Sequence, residues 1–260
     1  MERQVRTLFG AATRPYLKAG FPYLGAGFYY WQFARGKLGL DPVFFMLLRR
    51  GLLPGRGRLL DVGCGQAVLL SLLIAAREQY RRGDWPRDWP APPLDLDLCG
   101  MDLRQGRVRA ARRALDARAH IELRDAREGK FPRCAAIVML DVMLYLPEEQ
   151  QDRLLEKAAA ALDPGGLLLL READADAGLA FEVTRWSERI AAAARGDFGP
   201  RRYRSASRWV AALEGLGLAV TSEPMSLGTP FANVLFVARK GFKPPDATAD
   251  RRGYVQSQRT

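Results

Sequence analysis

From residue 58 onward, short apolar runs alternate with longer stretches in which apolar positions recur every three to four residues. That is the pattern of strand followed by helix. Residues 58–62 (RLLDV) predict a buried strand, followed by a glycine loop and an apolar helix over 66–80. Residues 96–102 predict a second strand, and 104–117 an arginine- and alanine-rich helix. A third strand is expected at 120–123 and a fourth at 135–140, with an amphipathic helix at 148–162. Asp163-Pro164-Gly165-Gly166 reads as a turn into a fifth strand, 167–170. A polar and aromatic segment, 172–204, holds one helix, and Ser205 caps another that runs to about Gly215. Two final strands follow at 218–222 and 233–238. The alternation predicts an α/β fold: a seven-stranded, mostly parallel sheet with helices on both faces.

Upstream, residues 1–57 read as a helical N-terminal extension. Asp41 is placed to cap a helix, Pro42 suits its first turn, and Gly51 with Pro54-Gly55 ends it. Residues 19–34 are uncharged and hold seven of the 25 aromatic residues, from Phe21 to Phe33. Packing onto the main body is the expected role. A membrane interface or a lid over an apolar substrate are the alternatives. One segment breaks the alternation: 81–95 (RRGDWPRDWPAPPLD), whose prolines suit neither a helix nor a central strand. It should be a surface loop tacked down by Trp85 and Trp89, on the sheet edge away from any ligand crevice. The organisation expected is therefore an extension or cap (1–57), a body (58–240) with the 81–95 insert and a lid region at 175–204, and a flexible basic tail (241–260).

Composition narrows the classes. With 260 residues, 48% of them hydrophobic, the chain is neither disordered nor a disulfide miniprotein. The net charge of +11 suggests nucleic acid or an anionic membrane as partner, but its distribution weakens the first idea. Residues 1–60 contain ten basic and two acidic side chains and 239–260 contain six and two, leaving the middle nearly neutral. Three scattered cysteines and a single histidine, His120, predict free buried thiols, a cytoplasmic setting and no metal site.

The chemistry concentrates at Leu59-Leu60-Asp61-Val62-Gly63-Cys64-Gly65. Glycines at a strand's mouth let backbone approach a ligand, and the following helix N-terminus offers free N–H groups. Asp102 closes the next strand, where a carboxylate can accept both hydroxyls of a ribose. Acids also stand at Asp125, after strand three, and at Asp141, at the end of strand four. A dinucleotide fingerprint would need a third glycine where Val68 stands, which makes a dehydrogenase the weaker reading.

With the Arg124-Asp125-Ala126 run and the D-P-G-G turn, these residues resemble the class I S-adenosylmethionine-dependent methyltransferases, Rossmann-like enzymes. The resemblance covers 58–172 and extends loosely to 240. It implies S-adenosylmethionine as cofactor, with Gly63, Cys64 and Gly65 lining its methionine part and Asp61 beside that loop. It also implies Asp102 and Leu103 at the ribose, Asp125 and Ala126 at the adenine, and Asp141 near the methionine ammonium. Two departures stand out: Ala67 where glycine is usual, and about twenty extra residues between Asp61 and Asp102, which the Trp-Pro insert supplies.

Methyl transfer requires alignment, exclusion of water and, for some acceptors, removal of a proton. Tyr145 and Glu172, at the carboxyl ends of strands four and five, are the candidate catalytic groups. His120 begins a strand on the opposite edge and is not one. Aromatic content in 19–34 and in 175–204 (Phe181, Trp186, Tyr203) points to a hydrophobic or aromatic small-molecule acceptor, lipid- or polyketide-like, free or carrier-bound. Arg201 and Arg202 are placed to meet an acidic group on it. An RNA or protein methyltransferase, or a cofactor-binding interaction protein without turnover, are the alternatives. Nucleic acid is the less expected partner, and peripheral contact with an anionic membrane fits the basic ends.

Overall fold

The computed structural model describes residues 15–194, 199–226 and 228–241. The expected tail beyond Gly241 and part of the lid region lie outside the described residues. A 3-10 turn, Phe21–Ala26, leads into α1 (Phe28–Leu40) and α2 (Pro42–Arg49). Asp41 caps α2 as expected, its side chain accepting the Val43 N–H. Then β1 (Arg56–Val62), α3 (Val68–Arg81), β2 (Asp95–Asp102), α4 (Gln105–Leu115), β3 (His120–Leu123) and β4 (Cys134–Leu140) alternate. The rest comprises α5 (Glu148–Ala161), β5 (Leu162–Ala173), α6 (Leu179–Ala194), α7 (Ala206–Gly215), β6 (Leu218–Pro224) and β7 (Asn233–Lys240).

The seven strands form one sheet in the order β3-β2-β1-β4-β5-β7-β6, parallel except for β7, which runs antiparallel to both neighbours. Strand order reverses between β1 and β4, and in parallel sheets that switch point opens a crevice at the strands' carboxyl ends. Alternation along each strand divides the core. Leu59, Leu98, Val138 and Leu169 join one apolar cluster with residues of α1–α4. Leu60, Met101, Ile137 and Leu170 join the other, with residues of α5 and α7.

Two boundaries differ from expectation for physical reasons. The D-P-G-G segment is not a turn before β5 but a bulge inside it. Leu162 pairs with Cys134 and Leu167 with Ala136, so 163–166 loop out opposite a single residue. Pro164 has no N–H to donate, and Gly165 sits at φ +73°. Helix α3 starts at Val68 rather than Gln66 because Ala67 is left-handed (φ 60°) and closes the loop instead of opening the helix. The Trp-Pro insert behaves as a tacked-down loop. Trp89 packs edge-on against Phe45 of α2 (5.2 Å between centroids) and Trp85 against Trp89 (5.6 Å). Arg49 donates to the Asp88 carbonyl at 2.8 Å, and no insert residue lines the crevice.

Candidate active site

The loop after β1 makes the floor of a cleft of about 450 Å³. Gly63, Gly65 and Ala67 all take positive φ, so every second residue of the loop is left-handed. At Gly63 this is obligatory, because a Cβ there would lie 2.6 Å from Cγ2 of Val142. Asp102 holds the loop from β2: one carboxylate oxygen accepts the Gly65 N–H at 2.8 Å and the other the Arg104 N–H at 2.7 Å. The extension grips the same loop. Tyr23 donates its hydroxyl hydrogen to the Gln66 carbonyl at 2.7 Å, and the Gln66 amide donates to the Tyr30 carbonyl at 2.7 Å. Nothing in the spacing of Tyr23, Tyr30 and Gln66 announces these contacts.

Asp61 lies buried at the base of the cleft, and burial, with the Asp102 charge adding to it, pushes its carboxyl up to about 8. Cys64 and Leu103 line the same cleft, and burial raises the Cys64 thiol well above its ordinary value, so it is no nucleophile. Asp125 and Ala126 stand at the cleft wall. Arg127 engages Asp125 through its backbone N–H (2.9 Å), Nε (3.0 Å) and Nη2 (2.6 Å), which holds the Asp125 carboxyl low. Lys157 donates to the Ala126 carbonyl at 2.6 Å.

Asp141 has a different environment from the one its place in the sequence implies. It is left-handed (φ 60°), and its carboxylate takes both Nε (3.0 Å) and Nη2 of the buried Arg171. Lys37 of α1 reaches the same carboxylate at 3.1 Å, and Asp41 at 2.9 Å, while Asp41 also pairs with Arg171. Two cations and two anions thus clamp the extension onto the ends of β4 and β5. Both acids are held below the usual carboxylate range by Arg171 and Lys37, against the cost of burial. The Asp141 carboxylate is therefore committed to these cations even though it lines the cleft. The sequence reading missed Lys37 and Arg171 and gave Asp41 only its capping role. The single available signal was a lone arginine at the end of the apolar run Leu167–Leu170.

The two candidate catalytic groups separate. Tyr145 stands at the cleft rim, in the 3-10 turn Met143–Tyr145, with the Arg201 guanidinium 4.5 Å above its ring. Glu172 does not line the cleft. It is 2% exposed, and its Oε1 accepts the N–H groups of Val142 (3.0 Å) and Met143 (2.7 Å), bracing the loop that carries Tyr145. Burial pushes the Glu172 carboxyl up to about 8, with Asp141 adding to the rise. Glu172, one residue before the end of β5, turns its carboxyl to the backbone of the Val142–Met143 loop rather than into the cleft. His120 lies on the far edge, side chain exposed and 3.1 Å from Glu122.

The strand order, the lone antiparallel strand and the glycine-floored acidic cleft at the switch point define the class I methyltransferase architecture. The sequence profile of the methyltransferase domain family matches residues 30–223, and the chain belongs to that family. Its cofactor, S-adenosylmethionine, fits the residues present. Gly63 and Gly65 line the cleft as bare backbone, with no side chain at Gly65 to fill the space below Arg107, and Asp102 and Asp61 present carboxyl groups beside them.

The chain is 35% identical over 117 residues to carboxy-S-adenosyl-L-methionine synthase of Chromohalobacter salexigens, covering 43% of this chain and 38% of that one. Among solved structures, an O-methyltransferase family protein from Burkholderia thailandensis matches with a TM-score of 0.58 at 16% identity, over 81% of this chain and 58% of that one. Magnesium protoporphyrin IX methyltransferase from Synechocystis PCC 6803, with bound SAH, matches with a TM-score of 0.52 at 18% identity, over 76% and 80%. At such identities these two likenesses concern the fold.

Proposed function

We propose that the chain transfers a methyl group from S-adenosylmethionine to a hydrophobic or aromatic small molecule, lipid- or polyketide-like, free or carrier-bound. One observation carries the reading: a single continuous cleft joins the glycine floor to a wall of apolar and aromatic side chains. Phe33 and Phe44 come from the extension, and Leu140, Tyr145 and Leu146 from β4 and the turn after it. The bound cofactor supplies a sulfonium-activated methyl group for in-line displacement. The chain's own part is positioning. Asp102 fixes the loop backbone, Glu172 fixes the Val142–Met143 backbone, and Phe33 and Phe44 exclude water beside the acceptor. Tyr145 orients the acceptor and relays its proton, taking it at the hydroxyl oxygen as the hydroxyl hydrogen passes to solvent, with Arg201 stacked on the ring.

Calorimetry with S-adenosylmethionine should show binding, weakened about thirtyfold or more in Asp102→Ala, which loses two charge-assisted hydrogen bonds. No binding by the native chain would overturn the reading. Incubation of cell extract with methyl-labelled donor should place label in the organic-solvent fraction. Label confined to RNA or protein would favour a polymer acceptor instead.

A second reading is favoured by the 35% local identity to a carboxy-S-adenosyl-L-methionine synthase. The cleft is also rich in cations, Arg107 among them, with a guanidinium nitrogen 3.7 Å from where a Gly65 Cβ would stand. In this reading the cofactor site holds a carboxylated form of the donor. Tighter calorimetric binding of carboxy-S-adenosylmethionine than of S-adenosylmethionine would decide for it.

A further inference from the structure

Helix α4 places its arginines on two different sides. Arg109, Arg112 and Arg113 are exposed on one face, while Val108, Ala111 and Leu115 are buried on the other. Arg107 precedes Ala111 by four residues and the buried Ala114 by seven, so it lies on the inward stripe. A core position would leave its charge without solvent or partner. Arg107 escapes that cost because it belongs to the first turn of α4, just after β2 ends at Asp102. Its side chain is half-buried and emerges over the strand ends, where it lines the cleft. The guanidinium reaches the glycine loop, Nη1 lying 3.7 Å from where a Gly65 Cβ would stand. Burial raises the Cys64 thiol, and the nearby Arg107 charge opposes part of that rise.

Other cations of the cleft already have acids of the chain against them. Lys37 meets Asp141 at 3.1 Å, Arg124 meets Glu122 at 3.5 Å, and Arg127 meets Asp125 at 2.6 Å. Arg107 forms no ion pair among the described residues. Its nearest acids are occupied: Asp102 accepts two backbone N–H groups, and Asp61 holds its proton up to about pH 8. A half-buried guanidinium in this state favours a ligand anion. The acceptor wall at Tyr145 and Leu146 follows β4, which lies two strands from β2 in the sheet. The anion that Arg107 meets therefore comes with the donor. In S-adenosylmethionine the adenosine half is uncharged and the sulfonium and ammonium are cations, which leaves the α-carboxylate.

We infer that Arg107 receives the α-carboxylate of the donor and so selects ligands that carry the amino-acid half over adenosine derivatives that lack it. The inference rests on the cleft being the S-adenosylmethionine site, and the test reads the two separately. The measurement is calorimetry of the full chain with three ligands. S-adenosylhomocysteine carries the carboxylate and the ammonium, its decarboxylated form keeps only the ammonium, and 5′-deoxy-5′-methylthioadenosine has neither.

The native chain should bind S-adenosylhomocysteine about tenfold or more tightly than the decarboxylated form. Arg107→Met keeps the aliphatic stem and should erase that preference by weakening S-adenosylhomocysteine, and Arg107→Lys should restore part of it. Methylthioadenosine affinity and the circular dichroism should stay native in both variants. An equal loss for all three ligands in Arg107→Met would overturn the inference, because the arginine would then only support the fold of the cleft. Unchanged S-adenosylhomocysteine affinity would overturn it too, by assigning Arg107 to another anion, such as a carboxylate carried on the sulfonium. Failure of the native chain to bind any of the three would overturn the cofactor site itself, and the inference with it.

Discussion

At the β1–β2 end of the cleft, Asp61 and Asp102 stand close together with no ion pair to either among the described residues, and Asp61 holds a proton up to about pH 8. At the β4–β5 end, Asp141 and Asp41 are partly buried, and both are held ionised by Arg171 and Lys37. The residue type is the same and so is the sheet edge, and the charge states are opposite. The first end is braced by backbone: the N–H of Gly65 in the left-handed glycine loop and that of Arg104 after β2 satisfy Asp102. The second is braced by side chains from α1, the α1–α2 junction, β4 and β5. A proton-holding acid beside a backbone cradle leaves room for a ligand, whereas a closed set of four charges serves as a clamp.

The sharpest way to break the contrast is to remove the cation at the centre of the clamp. Arg171→Met removes a buried cation, leaves two partly buried carboxylates facing a single lysine and should cost about 3 kcal/mol of stability, read as a urea midpoint shift. An unchanged midpoint would mean that the cluster is not what pins the extension. Next in size, Gly63→Ala forces a Cβ against Val142 at φ +69° and should cost about 1–3 kcal/mol. Calorimetry should show loss of donor binding in the same variant; donor affinity equal to native would remove the loop from the site.

The pH response separates the two ends directly. Asp61 and Glu172 have raised carboxyls, so the folded chain binds more protons than the unfolded chain between about pH 4 and 8. Their contribution is fully present below the unfolded values and is lost as pH rises toward 8. Asp41 and Asp141 are lowered, so theirs is present above the ordinary carboxylate value and lost in stronger acid. Urea midpoints for Glu172→Gln and Asp61→Asn should therefore fall less than the native chain's between pH 5 and 8. Slopes identical to native would contradict the assignment. The smallest effect expected is that of Tyr145→Phe: an approximately ten- to hundredfold lower kcat with donor affinity unchanged, measured once an acceptor is in hand. A variant as fast as native would leave Tyr145 a packing residue.

How much of this was legible in the sequence follows the same division. The glycine loop, Asp102 and the seven strands announce themselves because their cause is local: period-two alternation, turn glycines and an acid at a strand's end. The D-P-G-G bulge was mistaken for a turn because a bulge and a turn share the same residues, and only the pairing of Cys134 and Ala136 tells them apart. Glu172 was read as a cleft residue because its position on the sheet edge is local information, while its partners, the N–H groups of Val142 and Met143, lie thirty residues away.

The sequence by itself determined the sheet, the family and the half of the cleft that one contiguous stretch builds, since backbone geometry there depends on neighbours in the chain. Tertiary structure alone decided the charge clamp and the grip of Tyr23 and Gln66 on the loop. It also decided which apolar side chains of the extension and α6 remain outside. Each of these depends on where distant segments meet, and a buried charge takes its state from whichever partner the fold brings within reach.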